Sequence, residues 1–164
     1  TNVQIILNPF RLKPLDAVLP AAAAAGVAIF ARVPLASGLL SGRYTASTTF
    51  SADDHRTYNR NGEAFDKGET FSGVDFATGL TAVAELAAVL PKGISLPAAS
   101  LAWIASQPGV TSVIPGGRSP AQAASNAAAG KLLEAGSGFD LAGFDAKVHE
   151  VYDRHFRSQL HEQW

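Results

Sequence analysis

Three short apolar runs constrain this chain more than any other feature. They are "VQIIL" (residues 3–7), "VAIFARV" (27–33) and "VTSVI" (110–114). A strand with one wet face alternates apolar and polar side chains. These runs scarcely alternate, so each is expected to be a strand buried on both faces, as in a parallel sheet covered by helices. Helical spacing fills the intervals. A helix is expected over 15–25, with Pro20 kinking it or delaying its start and Gly26 as its left-handed terminator. Residues 77–90 carry Leu80, Val83, Leu86 and Leu90 on one stripe. Ser95 caps "LPAASLAWIASQ", and Pro108-Gly109 breaks it. Another helix runs from Ser119 to an end at Gly130. Residues 136–143 read as loop, and a last amphipathic helix covers 144–156. Strands alternating with helices argue for parallel βα units and an α/β fold.

Composition narrows the partners. The 164 residues are enough for one domain, and residues 1–164 are read as a single unit. With 13 Lys+Arg against 14 Asp+Glu the net charge is −1, so no basic surface for nucleic acid is expected. Any phosphate site has to be local. Cysteine is absent, which excludes disulfides, thiol catalysis and zinc–thiolate sites and fits a reducing compartment. The longest apolar run, 17–31, is broken by Pro20 and Gly26 and falls short of the ~20 residues that span a bilayer. No membrane partner and a cytoplasmic location are expected. Methionine is absent too, and the chain begins at Thr1. Loss of an initiator Met and absence of an N-terminal part are both open readings.

Chemistry gathers in two places. "VPLASGLLSGRY" follows the second strand, with Gly38 and Gly42 permitting close approach to a ligand or another backbone. "VTSVIPGGRSPAQAASNAAAG" joins the third strand to a helix through Gly116, Gly117 and Arg118. Ser119-Pro120-Ala121-Gln122 is a capping box with Pro at the first helical position. Such a junction aims backbone N–H groups outward at the positive end of a helix dipole, and Arg118 adds a forked cation. A capping box alone more often marks a plain helix start. The two glycines, the Arg and Asn126 on the same helix favour an anion site. Residues 45–75 are rich in Ser, Thr, Asn, Asp and Gly without a clear period; so long a loop in a compact domain is functional or mobile.

Both motifs resemble the C-terminal half of the aldo-keto reductases, and "VQIILNPF" is similar to the sixth strand of that family. The resemblance implies a (β/α)₈ barrel of which this chain holds roughly the last three βα units. It also implies NADP(H) bound at the C-terminal face and hydride transfer to an aldehyde or ketone. By that resemblance Pro34, Leu35, Ser37, Gly38 and Leu39 line the pyrophosphate. Gly116, Gly117, Arg118, Gln122 and Asn126 hold the adenosine end and its 2′-phosphate. Many members have Tyr where this chain has Arg32. Its planar cation is expected to lie on the nicotinamide and favour the reduced form; pairing with a carboxylate in the missing half is the alternative.

A whole barrel needs eight strands and about 250 residues. The family's catalytic Asp, Tyr, Lys and His have no counterpart here, so no catalytic residue is assigned and the activity of this chain alone is open. Asp53, Asp54, His55, Tyr44 and Tyr58 read as solvated loop residues, Trp103 as core, and Trp164 with the tail as a substrate contact. Partners are expected to be a small carbonyl substrate and the missing barrel segment or a chain supplying it. A non-catalytic nucleotide-binding module and a half-barrel that binds nothing are the other readings.

Overall fold

β1 (Asn2–Ile6), β2 (Ala28–Arg32) and β3 (Val110–Ile114) form one parallel sheet in the order β1-β2-β3. This is seen in a computed structural model that describes residues 1–163. The helices are α1 (Val18–Ala24), α2 (His55–Tyr58), α3 (Phe76–Ala88), α4 (Leu96–Ser106), α5 (Pro120–Ala128), α6 (Leu141–His155) and α7 (Arg157–Leu160). The fold is α/β, and the alternation read from the sequence holds.

The central strand explains the layering. Ile29 and Ala31 are fully buried on the face that meets the helices. They belong to one core cluster with Leu19 of α1, Leu86 of α3, Trp103 and Ile104 of α4, and Val148 and Val151 of α6. Each large side chain so buried contributes about 1.5–3 kcal/mol of transfer free energy. Trp103 meets its one polar obligation by donating from Nε1 to Asp145 at 2.7 Å. The opposite face carries Ala28, Phe30 and Arg32, all half-buried. Register sets Gln4 beside Phe30 and Ser112, and Ile6 beside Arg32 and Ile114.

Burial on both faces holds for none of the three strands in full. Most of β1 is exposed, and β3 is half-buried or exposed along its length. Among the described residues nothing pairs their outer edges, and Val3 and Ile114 stay 41% and 45% exposed. The apolar runs therefore have more surface to bury than this chain covers.

Local signals held at most ends. Gly26 takes φ +64° after α1, Ser95 accepts from the Ala98 amide, and Pro20 enters α1 in its first turn. Gly130 does not end α5; the chain tightens into a 3₁₀ turn over Ala129–Leu133 that passes through it. The last helix starts earlier than its apolar stripe, because Asp140 accepts the Gly143 amide and caps it at Leu141. The 45–75 segment contains α2 and 3₁₀ turns at Lys67–Glu69 and Phe71–Gly73. Asn59, fully buried, accepts the amides of Ala64 and Phe65 and so folds this loop around itself.

Candidate functional site at the sheet's C-terminal edge

Arg32 lies in register with Ile6 and Ile114, so the segments that leave the three strands emerge side by side from one edge. Parallel strands lie about 4.8 Å apart, which makes the two motifs neighbours. They are built differently.

The segment after β2 is strained and strapped. Val33, Ala36 and Ser37 have φ of 52°, 47° and 55°, and Phe71 and Ser72 have 51° and 58°. Non-glycine residues enter this region only when surrounding contacts over-determine them, at about 1–3 kcal/mol each. The contacts are present. Asn8, fully buried, donates from Nδ2 to Val33 O at 2.9 Å and to Ser72 Oγ at 2.8 Å, and accepts the Phe10 amide. Ser37 Oγ donates to Glu69 O at 3.1 Å and accepts the Phe71 amide at 3.0 Å. Residues 69–72 therefore form a strap bonded to the ends of β1 and β2.

Arg32 completes it. Its Nη1 donates to Glu69 Oε2 at 2.9 Å and its Nη2 to Glu69 Oε1. The carboxylate holds the guanidinium proton more firmly than usual. Within this chain the partner of Arg32 is a carboxylate of its own 45–75 loop.

Beside the strap, Arg56 donates to Asp54, to Tyr44 Oη and to Ser37 O, and its guanidinium lies 4.4 Å from the Phe50 ring centroid. The bonds from Arg56 to Asp54 hold the Asp54 carboxyl down at about 2. Asp54 and His55 serve this anchor and the start of α2, and no metal-ligating cluster occurs among the described residues. Gly38 sits at φ +88°, with no room for a Cβ beneath Tyr44 Oη. Pro34 and Leu39 are buried, so these two of the five residues expected along a pyrophosphate offer a ligand backbone rather than side-chain surface. Leu35, Ser37 and Gly38 are half-buried.

The segment after β3 is open. Gly116, Gly117, Arg118 and Gln122 are exposed and Asn126 is half-buried. Ser119 caps α5 by accepting the Gln122 amide at 3.2 Å. Gln122 reaches back, but its Oε1 takes the Arg118 amide at 2.8 Å, one residue before the expected partner. Asn126 Nδ2 donates to Gly116 O at 3.0 Å, closing the glycine turn onto the helix. Among the described residues no acceptor takes the amides of Gly117 and Ser119, and no carboxylate pairs Arg118. A Cβ at Gly116 or Gly117 would meet nothing within 4 Å. Open amides and a free guanidinium at a helix N-terminus suit an anion.

The sequence did not point to Asn8, Glu69 or Ser72. Asn8-Pro9 after a strand was the one local hint; Glu69 lies 37 residues from Arg32 and carries none. His161, given no chemistry from the sequence, is buried between Asp16 Oδ2 at 2.7 Å and Tyr152 Oη at 3.1 Å and fastens the C-terminal turn. Burial holds the Tyr152 hydroxyl proton above its usual range. Trp164 lies outside the described residues. No described helix is long and apolar enough to cross a membrane.

Residues 2–135 match the model of the Aldo/keto reductase family. Among solved structures, the glycerol dehydrogenase AKR11B4 from Gluconobacter oxydans is similar at 26% identity and a TM-score of 0.69, over 94% of this chain and 43% of that one. The holo form of the aldo-keto reductase AKR11C1 from Bacillus halodurans is similar at 17% identity and a TM-score of 0.62, over 98% and 46%. This chain thus spans less than half the length of either. No curated protein matches it.

Proposed function

The chain belongs to the aldo/keto reductase family, and on that premise we propose that it is the cofactor-binding, C-terminal portion of an NADP(H)-dependent reductase of aldehydes or ketones. In this reading the three strands are the last three of a (β/α)₈ barrel. The remaining strands, on a preceding segment or a separate chain, pair with the outer edges of β1 and β3 and bring the general acid. The name of the glycerol dehydrogenase neighbour is in keeping with alcohol–carbonyl chemistry.

The observation that carries the reading is the open junction after β3, beside the strapped end of β2. The Gly117 and Ser119 amides, with Arg118, fit the phosphate on an adenosine ribose, and the bare glycines leave it room. Gln122 and Asn126 hold that turn in shape, the first by accepting the Arg118 amide and the second by donating to the Gly116 carbonyl. The backbone of 34–39 lies alongside for the pyrophosphate, and Arg32 at the strand end faces the nicotinamide. When bound, the nicotinamide supplies a hydride to a carbonyl carbon while a proton goes to its oxygen. The residues of this chain bind and orient; none of them is assigned the proton.

Fluorescence titration of the protein from its complete reading frame tests this. NADPH is expected to saturate in the micromolar range. Arg118→Ala should weaken NADPH about tenfold and leave NADH nearly unchanged, since only the former carries the extra phosphate. Equal loss for both dinucleotides, or no loss for either, overturns the assignment of Arg118.

A further inference from the structure

Resting on the nicotinamide reading above, we infer that Glu69 determines cofactor-form specificity: it is the counter-charge that lets the site hold oxidised and reduced nicotinamide with similar strength. Arg32 and Glu69 form a fork-on-fork pair, which fixes the plane of the guanidinium as well as opposing its charge. The two side chains are 36% and 32% exposed, so the pair borders open space at the sheet edge rather than the core. Glu69 is not held by Arg32 alone. Its carbonyl is bonded by Ser37, and three residues on Ser72 is bonded by buried Asn8. The carboxylate is delivered to Arg32 by a strap that stays in place for other reasons.

Charge bookkeeping then follows from the neighbours. Arg11 lies within electrostatic reach of Arg32, Glu69 and Asp66. Within that reach the two guanidinium groups are balanced by two carboxylates. The oxidised nicotinamide ring bears one positive charge and the reduced ring none. A bare Arg32 against the ring would repel the oxidised form selectively, because like charges a few ångströms apart outside bulk water interact strongly. Glu69 cancels that repulsion. The bias toward the reduced cofactor expected from Arg32 alone is therefore absent from the intact pair and latent in it.

Two variants of the protein from its complete reading frame push the balance in opposite directions. NADPH affinity is read by its own fluorescence and NADP⁺ affinity by displacement. Glu69→Gln leaves an uncompensated cation and should weaken NADP⁺ relative to NADPH by about tenfold. Arg32→Gln leaves an uncompensated carboxylate and should shift the ratio about as far the other way. The double variant restores neutrality and should return the ratio to that of the wild type. If Glu69→Gln does not fold, Arg32→Gln and the double variant decide the matter. Equal weakening of both forms, or a shift of the same sign in both single variants, overturns the inference and leaves Glu69 as an anchor of the strap. If the wild type binds neither dinucleotide, the nicotinamide reading fails and this inference falls with it. Binding with a ratio indifferent to both substitutions overturns the inference alone.

Discussion

Two neighbouring segments leave the same sheet edge, and they solve opposite problems. After β2 the backbone is bent into left-handed geometry at non-glycine residues and held there by partners up to 34 positions away, as in the bond from the Phe71 amide to Ser37 Oγ. After β3 the backbone is relaxed, exposed and organised by bonds that span at most 10 positions, as in Asn126 to Gly116. One segment is a rigid wall whose shape depends on the whole fold. The other is a self-contained turn whose polar groups remain available. Close approach of a ligand backbone favours the first, and recognition of a free anion favours the second.

Substitutions that break this contrast should do so unequally. The largest effect is expected from Asn8→Ala. It removes the groups that satisfy Val33 O, Ser72 Oγ and the Phe10 amide in a fully buried place, and should cost about 3 kcal/mol of stability in chemical denaturation. A loss below about 1 kcal/mol would show that the strap holds without its buried pin.

Glycine substitutions sharpen the comparison next. Gly38→Ala meets both a positive φ and the Tyr44 hydroxyl and should cost about 2 kcal/mol. Gly117→Ala meets neither and should change stability by less than about 0.5 kcal/mol while weakening NADPH. Similar stability losses at the two sites would erase the distinction between wall and turn.

The smallest effect is in acid. The Asp54 carboxyl is depressed to about 2 by Arg56, below its ordinary value of 3.8. Its contribution is complete above the ordinary value and lost as pH falls through the depressed one. Stability should therefore drop by an additional amount on the order of 1 kcal/mol between about pH 4 and pH 2. Asp54→Asn should lack that component, as read from denaturation midpoints across the range. A parallel acid dependence in wild type and variant would mean that the anchor near Tyr44 does not depend on this charge.

The same contrast governs what the sequence revealed. The turn after β3 is specified by adjacent residues, so Ser119 and Gln122 could be read from the chain as a capping box, while the bond of Asn126 to the Gly116 carbonyl came from the structure. The three strands, their parallel βα alternation and the longer helices followed from runs and stripes of apolar residues for the same reason. The strap could not be read that way. Glu69 and Ser72 sit in a segment with no period, and their meaning comes from Arg32, Ser37 and Asn8, brought close only by folding. Composition marked 45–75 as functional or mobile; buried Asn8 and Asn59 bond parts of it to the fold and to itself. Full burial of the strands was over-read, because an apolar run records what a residue needs and not whether this chain supplies it.

α5 contains no buried residue, although five of its nine positions are alanine. A helix of that length holds together in water only marginally by itself. Its local bonds shape the cap at Ser119 and the anion cradle, and α4 of this chain lies against the helix, so any further contact along those alanines would add to the order of both. Equilibria joined through one element act on each other equally in both directions. A neighbour that settles against α5 would tighten the grip on a phosphate, and a phosphate in the cradle would, by the same factor, strengthen the hold of the neighbour.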